Sequence, residues 1–424
     1  MIREILQLRT MFGNRKMSGA ELEELREKKL RAVIRNAYDS VPYYRSLFDA
    51  KGLTPGDIQT ATDLRKLPIT TKDDLRRAGL EKITADWADI SACPSVQTHG
   101  STGKPFTVYR TPSEDVTRRM LAIAALISAG VRPRDRYAIL GPEGVHKRRF
   151  YHTLGFFRRE LIPLSVRPDA QIERLRQFRP TVLSVYPSAL RVLLHHSAYP
   201  LRSVIRPRVV ITGGEVFDHV LKKRAHAELD AEYFNFYGAH EFGTLGYECH
   251  AHEGLHLNAD HFILECLDGN KPAELGQAGG AVVTSLFACA MPLIRYKLGD
   301  LCTLSGKQCS CGCSFPLMDH PIGRDDDVPT LPSGAIRSPD RFHFILHEFN
   351  GIDQWRFIQE SEEKFVLYLV MPNKPEPGML EKIRSQFLDY LEEPVSVDIR
   401  LVDYMEEEVL KFRTFISKVP KPPE

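Results

Sequence analysis

From the start of the chain to about residue 90, apolar positions recur at helical spacing. In ELEELREKKLRAVIRNAYDSVPYYRSLF, Leu22, Leu25, Leu30, Val33, Ile34 and Ala37 fall on one stripe, the pattern of a helix with one packed face. Pro42 interrupts it. Thr70-Thr71-Lys72-Asp73-Asp74 supplies cap residues for a further helix. From about 95 to 320 the grammar changes. RYAILG (136–141), TVLSVY (181–186), RVVITGG (208–214) and AVVTSL (281–286) are β-branched runs that end in Gly, Pro or a polar turn. DVTRRMLAIAALISAG, before the first run, and HVLKKRAHAELD, between the last two, have helical spacing. The alternation predicts α/β sheets with crossover helices, and ligands then sit at the carboxyl ends of strands. Toward the C-terminus, WRFIQE and KFVLYLVMP read as strands and PGMLEKIRSQFLDYLEE as an amphipathic helix. PVSVDIRLV follows, alternating Val395, Val397, Ile399 and Leu401 as a further strand. The expected architecture is therefore α/β: a large N-terminal domain over 1–322, a hinge over 323–328 and a small, mobile α+β domain over 329–424. The junction, IGRDDDVPTLPSGAIRSP, is rich in Gly, Pro and Asp, as hinges often are.

Composition narrows the function classes. The 424 residues carry 57 Lys and Arg against 55 Asp and Glu, a net charge of +2, with 43% apolar and 26% charged residues. This is ordinary for a globular protein and excludes a disordered tail, a collagen-like repeat or a disulfide-stapled mini-domain. It gives no electrostatic case for nucleic acid or a membrane as partner. The longest uncharged stretch, 279–294, is shorter than the ~20 apolar residues of a membrane span and contains Thr284, Ser285 and Pro292. Arg3, Glu4 and Arg9 break the apolar core that a signal peptide needs. The expected location is the cytoplasm, where thiols stay reduced.

Four segments carry candidate chemistry. Thr98-His99-Gly100-Ser101-Thr102-Gly103-Lys104-Pro105 combines glycines, hydroxyls and a lysine, suited to wrapping phosphates with backbone N–H groups. It is not a Walker loop, since Pro follows the lysine where a magnesium-binding hydroxyl belongs. Tyr237-Gly238-Ala239-His240-Glu241 offers a ring to stack on a base and a carboxylate for Mg²⁺. RYKLGD, ending at Asp300, and Gly323-Arg324-Asp325-Asp326 offer an acid and a guanidinium for the hydroxyls of a ribose. Each alone also reads as a solvated turn.

In this order the segments resemble the adenylate-forming superfamily of acyl-CoA synthetases, most closely its phenylacetate–CoA ligase-like branch. The resemblance covers nearly the whole chain: LRAVIRNAYDSVPYYRSLF, GLTPGDI, DLRKLPITTKDDLR, THGSTGKP, ITGGE, NFYGAHEFG, MPLIRYKLGD, IGRDDD and VLKFRTFISKV. It implies that Thr98, Gly100, Ser101, Thr102, Gly103 and Lys104 hold the pyrophosphate part of ATP. Gly213, Gly214, Glu215, Tyr237 and Gly238 would frame the adenine, and Glu241 would ligate Mg²⁺. Asp300 and Arg324 would bind the ribose, and Asp325 or Asp326 would be the pivot of the small domain. Lys411 would reach the substrate carboxylate and the α-phosphate. The implied activity is adenylation of a small carboxylic acid, aryl or arylacetic, followed by acyl transfer to CoA. The resemblance also implies a homodimer. His99, His240 and Leu410 depart from the family's usual small residue, Thr or Ser, and Gly. The alternatives are an amine, hydroxyl or carrier-protein thiol as acceptor, a reaction that stops at AMP transfer, or a nucleotide-binding protein without ligase activity.

The cysteines form a separate signal. Cys309-Ser310-Cys311-Gly312-Cys313 and Cys249-His250-Ala251-His252-Glu253-Gly254-Leu255-His256 mix thiols and imidazoles. Soft ligands from both clusters suit a structural tetrahedral Zn²⁺. Cys249, His256, Cys309 and Cys311 are the preferred set, with His252, Cys302 and Cys313 as substitutes. Idle or buried thiols are the competing reading. Cys93, Cys266 and Cys289 lie among apolar residues as expected core positions. The basic run from His146 to His152 is either a contact for CoA phosphates or an acidic carrier protein, or a solvated loop. Tyr186-Pro187-Ser188 either borders an acyl pocket or simply ends a strand.

Overall fold

A computed structural model describes residues 2–98, 106–141, 153–156, 158–197, 200–321, 323–324, 329–333, 342, 345–346, 348–349, 351–352, 354–371, 373–403, 405 and 414–419. The fold is mixed α/β, with a large sheet-rich domain and a smaller C-terminal α/β domain. Chain contacts divide it into two compact units, Met1–Val131 with Phe234–Pro321, and Arg132–Tyr233 with Ile322–Glu424. Among the described residues, no helix is long and apolar enough to cross a membrane.

In the first unit, the helices α1 (Ile2–Asn14), α2 (Gly19–Ser40) and α3 (Pro42–Ala50) come first. Ser18 and Glu21 close a capping box that starts α2: the Ser18 N–H donates to Glu21 Oε2 at 2.7 Å, and Ser18 Oγ accepts from the Glu21 N–H. Leu22, Leu30, Val33, Ile34 and Ala37 of the stripe are buried, and Pro42 takes the first position of α3, where its missing N–H leaves no helical bond unmade. Thr71 and Asp74 form a second capping box at the head of α4 (Lys72–Ala78), which fixes Lys72 at its first position. Then come β1 (Ser95–Thr98), β2 (Phe106–Tyr109) and α5 (Pro112–Ser128).

Strands β3–β6 belong to the second unit: β3 (Arg136–Gly141), β4 (Arg158–Pro163), β5 (Val182–Ser184) and β6 (Val209–Gly213). They lie in the order β6-β5-β3-β4, and every pair is parallel. The helices α6 (Pro168–Phe178), α7 (Pro187–His196) and α8 (His219–Glu228) alternate with them. Leu140, Leu183, Leu190, Leu193 and Val210 are among the residues of the shared core. Here the β-run and helix alternation of the sequence is realised as crossovers.

The remaining strands of the first unit run differently. They are β7 (Glu232–Ala239), β8 (Gly243–Glu248), β9 (Leu255–Leu257), β10 (Phe262–Asp268), β11 (Lys271–Pro272), β12 (Ala278–Ser285), β13 (Tyr296–Ser305) and β14 (Leu317–Met318). Their order is β11-β10-β12-β13-β14-β9-β8-β7, all antiparallel. AVVTSL therefore lies in an antiparallel meander, not in a crossover unit. The turns that flank it are too short to carry a helix back to a parallel strand.

After β15 (Gly323–Arg324), the C-terminal sheet has the order β18-β17-β16-β19. It comprises β16 (Gln354–Ser361), β17 (Lys364–Val370), β18 (Ser396–Leu401) and β19 (Phe415–Ser417). The β16–β17 pair is antiparallel and the outer two pairs are parallel. With α9 (Met379–Leu391) it encloses its own core, in which Phe342, Phe357, Phe365, Ile383, Phe387 and Phe415 are buried.

Candidate functional site

Two sequence segments meet at Tyr237. Although β7 and β13 are not neighbours in the strand order, the Tyr237 hydroxyl donates to Asp300 Oδ2 at 2.9 Å. Tyr237 is buried in the core that also holds Phe242, Leu257 and Tyr296. Gly238 follows at a register shift in the β7–β8 pair. A Cβ there would lie 2.4 Å from the Gly243 carbonyl oxygen, so only glycine lets the two backbones approach this closely.

Glu241 sits in the turn after β7. Its Oε1 accepts from the Tyr296 hydroxyl at 3.1 Å and faces Lys72 Nζ at 3.6 Å. Its backbone is held as well: the Arg110 guanidinium donates to the carbonyls of His240 and Glu241. Arg110 is buried, and burial pushes it down to about 10, with Arg118 next in effect, so it remains charged at neutral pH. Both side-chain contacts of Glu241 among the described residues fall on one oxygen. A carboxylate so placed is a hard oxygen donor with capacity for a divalent cation.

Lys72, Arg110 and Tyr296 have no role in the sequence reading. Tyr296 lies inside the RYKLGD segment, and the TTKDD cap signal puts Lys72 at a helix start. Arg110 directly follows β2, with no local pattern to mark it.

Gly213-Gly214-Glu215 is held in the second unit. Gly214 has φ +77°, and a Cβ on it would lie 3.0 Å from the Tyr186 ring. Glu215 accepts from the Ser188 N–H at 2.8 Å and from Ser188 Oγ at 2.9 Å. The carboxylate thus caps the start of α7, and the 186–188 and 213–215 segments are locked together across 27 residues of separation.

The phosphate-loop candidates His99, Gly100, Ser101, Thr102, Gly103 and Lys104 lie outside the described residues. Their flanks do not: Thr98 pairs with Phe106 in antiparallel register, so the neck of the loop is a closed β1–β2 ribbon. The side chains of Thr98 and Arg324, residues 146–152, Asp325, Asp326, Leu410 and Lys411 are likewise outside the description.

The thiol–imidazole cluster is fully described. Cys249, His256, Cys309 and Cys311 bring one ligand atom each to within 4.8 Å of one another. Cys249 Sγ lies 3.6 Å from Cys309 Sγ, and Cys311 Sγ lies 3.3 Å from His256 Nε2. A tetrahedral zinc with Zn–S bonds of about 2.3 Å spans ligand–ligand edges of roughly 3.4–3.8 Å, so this donor set fits. His256 comes from β9, which pairs with both β8 and β14 and so holds it between the two loops. Glu253 fastens the knuckle from outside, accepting from the Ser310 N–H at 2.9 Å and Ser310 Oγ at 2.7 Å. Gly254 (φ +129°) and Gly312 (φ +81°) take conformations that a side chain would strain. Burial pushes the Cys249 thiol up to about 12 and holds the His256 imidazole below its usual value, against a backbone hydrogen bond at Phe315 that raises it.

The substitute ligands are not in the group of four. His252 Nδ1 lies 3.1 Å from Glu248 Oε1, the Cys302 backbone carbonyl accepts from the Cys266 thiol, and the Cys313 N–H donates to Cys311 Sγ. Cys266 is buried as expected, whereas Cys93 and Cys289 are only half-buried, being in loops at the edge of the core. All eight cysteines are free thiols.

Comparison with known proteins places the chain in a family. A phenylacetate–coenzyme A ligase of Thermus thermophilus is 30% identical over 328 residues, covering 73% of this chain and 71% of its own. The Escherichia coli K12 enzyme of the same name is 30% identical over 323 residues, covering 73% and 72%. Protein CapK of Staphylococcus aureus is 21% identical over 378 residues, covering 85% and 81%. Among solved structures, a 2-hydroxyisobutyryl-CoA ligase in the postadenylation state shares the fold with TM-score 0.79, at 18% identity over 96% of this chain and 91% of that one. A benzoate CoA ligase from Burkholderia xenovorans shares it at TM-score 0.56 and 15% identity, over 82% of this chain and 71% of that one. No family model matches the chain.

Proposed function

Because the chain belongs to the phenylacetate–CoA ligase family of adenylate-forming enzymes, we propose that it activates an aryl or arylacetic acid. The protein is an AMP-forming acid–thiol ligase, joining a carboxylic acid to CoA at the expense of ATP. The observation that carries the acid class is the 30% identity to phenylacetate–CoA ligases over nearly three-quarters of the chain.

The chemistry asks for two anions to be held together. A carboxylate is a weak nucleophile and is repelled by a triphosphate, so the site must orient both and neutralise charge on the α-phosphate. In our reading Tyr237, Gly238 and the Gly213-Gly214-Glu215 turn frame the adenine, and Asp300 and Arg324 take the ribose. Asp300 is pre-oriented for this by the Tyr237 hydroxyl. Thr98, Gly100, Ser101, Thr102, Gly103 and Lys104 wrap the β- and γ-phosphates. Lys411 holds the acid's carboxylate against the α-phosphate. The acid's oxygen attacks the α-phosphorus, the bond to the bridging oxygen breaks, and pyrophosphate leaves. The CoA sulfur then attacks the acyl carbon, AMP leaves with its oxygen, and the thiol proton is lost to solvent. Glu241 is the residue that would hold Mg²⁺, which when bound supplies positive charge to the phosphates. Lys72 and Tyr296 hold the same carboxylate in place.

A pivot at Asp325 or Asp326, within 323–328, would turn a lid of residues 329–424 between the two half-reactions. A carrier-protein thiol in place of CoA and a homodimer are further readings that rest on the family alone. A cytoplasmic location, where thiols stay reduced, is part of the same reading.

The test is ATP–pyrophosphate exchange across a panel of carboxylic acids. Exchange is expected with arylacetic and benzoic acids, and free CoA thiol should then disappear with the best acid. Exchange confined to short aliphatic acids refutes the acid class. Exchange without thiol consumption moves the acceptor to an amine, a hydroxyl or a carrier thiol. AMP binding without exchange from any acid favours a binding protein.

We also assign a structural Zn²⁺ to Cys249, His256, Cys309 and Cys311. All four positions are filled by protein, so the ion would brace the β8–β9 and β13–β14 turns rather than catalyse. Purified protein is expected to hold about one zinc per chain, and Cys309→Ser to lose it with a lowered Tm. Less than about 0.3 zinc per chain ends the assignment.

A further inference from the structure

Residues 132–233 hold 19 Lys and Arg against 10 Asp and Glu, a balance of +9 in a chain whose total is +2. The parallel strands gather part of this excess at one end. β3 begins at Arg136 and β4 at Arg158, and the two are register partners. Arg132 and Arg134 come just before β3. On the other side of β3, the Arg136 carbonyl accepts from the Thr181 N–H at 2.9 Å, and Arg136 Nε donates to the Arg179 carbonyl at 2.5 Å. The Arg208 N–H donates to the Thr181 carbonyl at 2.8 Å, which brings Arg206 to the same end, just before β6. Arg132, Arg134, Arg136, Arg158, Arg179 and Arg206 are all exposed, and among the described residues none of the six pairs with a carboxylate. Of the acids at this end, Asp135 is buried and lies 2.6 Å from Arg208, while Asp230 and Glu232 sit at the start of β7, beyond β6. Leu154 and Phe156, 67% and 45% exposed, come just before Arg158 and so lie at the same end.

Like charges on neighbouring strands, about 4.8 Å apart, repel each other and cost stability. Protection of a sheet edge accounts for Arg158 on the outer strand β4, not for arginines at the ends of β3, β5 and β6. An ordinary solvated surface intersperses both signs of charge. An anionic partner turns the repulsion into attraction, and guanidinium forks match phosphate oxygens. The opposite ends of β5 and β6 lead into Tyr186-Pro187-Ser188 and Gly213-Gly214-Glu215, the segments joined through Glu215. The five residues of β6 put about 16 Å of strand between the two ends. The arginines thus lie away from the turn read above as framing the adenine, and a partner on them leaves that end open. The two apolar side chains decide which polyanion fits. A phosphodiester chain has no use for an exposed leucine, whereas a bilayer takes leucine and phenylalanine beneath its headgroup phosphates. We propose that the amino end of this parallel sheet docks on an anionic phospholipid surface, with the arginines on headgroup phosphates and Leu154 and Phe156 in the interface. The inference stands apart from the ligase reading.

The test is cosedimentation of the full chain with vesicles of phosphatidylcholine, alone or with about one-third phosphatidylglycerol. Binding is expected to the anionic vesicles alone, and should be lost at about 0.5 M salt, where charges are screened within a few Å. The triple variant Arg134→Glu, Arg136→Glu, Arg158→Glu should weaken binding at least about hundredfold, since each arginine near such a surface contributes roughly fivefold. Leu154→Ser with Phe156→Ser should weaken it about tenfold. All five positions are exposed, so both variants should keep the parent Tm, with ATP–pyrophosphate exchange within about twofold. Equal binding to neutral and anionic vesicles, or binding to neither, overturns the proposal. A triple glutamate variant that binds like the parent removes the arginines from the contact and overturns it as well. Tighter binding to a single-stranded oligonucleotide than to anionic vesicles, or serine variants that bind unchanged, overturns the lipid surface and leaves the arginines to a nucleic acid or an acidic protein.

Discussion

Lys411→Ala is expected to leave the protein folded and to lower adenylation about 10²–10³-fold, the scale for removing one cation aimed at developing charge. The acid's oxygen and the α-phosphate are both anionic, and no other step needs that lysine at that place. Thioester formation from supplied acyl-adenylate should therefore change less than about threefold. Single-turnover assays of the two half-reactions give the ratio directly. Equal losses would remove Lys411 from the α-phosphate. Leu410, where the family resemblance leads to the expectation of Gly, makes this the sharpest measurement on the C-terminal segment. If Leu410→Gly speeds adenylation, the departure limits the lysine's approach.

The second large effect is expected at Gly238→Ala. The new methyl would lie 2.4 Å from the Gly243 carbonyl oxygen, a backbone atom held by the β7–β8 pair. The strands must part, at a cost of about 2–3 kcal/mol. Tyr237 is the adjacent residue, so its hydrogen bond to Asp300 should be disturbed. A Tm lowered by on the order of 5 °C should accompany AMP affinity weakened at least about tenfold. Calorimetry of unfolding and of AMP binding separates the two. A lower Tm with unchanged AMP affinity would detach the Tyr237 segment from the nucleotide.

The electrostatics around Glu241 show how the site is assembled. Its carboxylate is shared between a hydroxyl from β13 and an ammonium from the start of α4, while Arg110, just after β2, grips its carbonyl. Three elements separated by long stretches of chain converge on one residue. On the proposal that Glu241 holds Mg²⁺, such convergence orients the carboxylate before substrate arrives and lowers the reorganisation needed during reaction.

Several elements were legible because their signal is local. The α2 stripe, the caps at Ser18 and Thr71, and the β16–β17–α9–β18 succession follow from spacing and cap chemistry within a few residues. The ordered motif segments also suffice to indicate the family. AVVTSL was less legible: a β-branched run reads alike in parallel and antiparallel sheets, and its neighbours in space decide which. The four residues preferred from the sequence, Cys249, His256, Cys309 and Cys311, are the ones whose ligand atoms lie together, and strand pairing supplies the reason. His256 reaches Cys311 because β9 lies between β8 and β14.

The chain by itself determined which segments are helix or strand, where charge and glycine are concentrated, and hence which reaction class the protein belongs to. These are properties of spacing and residue type, and they survive without knowledge of contacts. Only the tertiary structure decided that Lys72 and Tyr296 share the Glu241 carboxylate and that Tyr237 orients Asp300. Each is a short-range bond between residues distant in sequence, and such distances are fixed by strand order and register, which no local periodicity encodes.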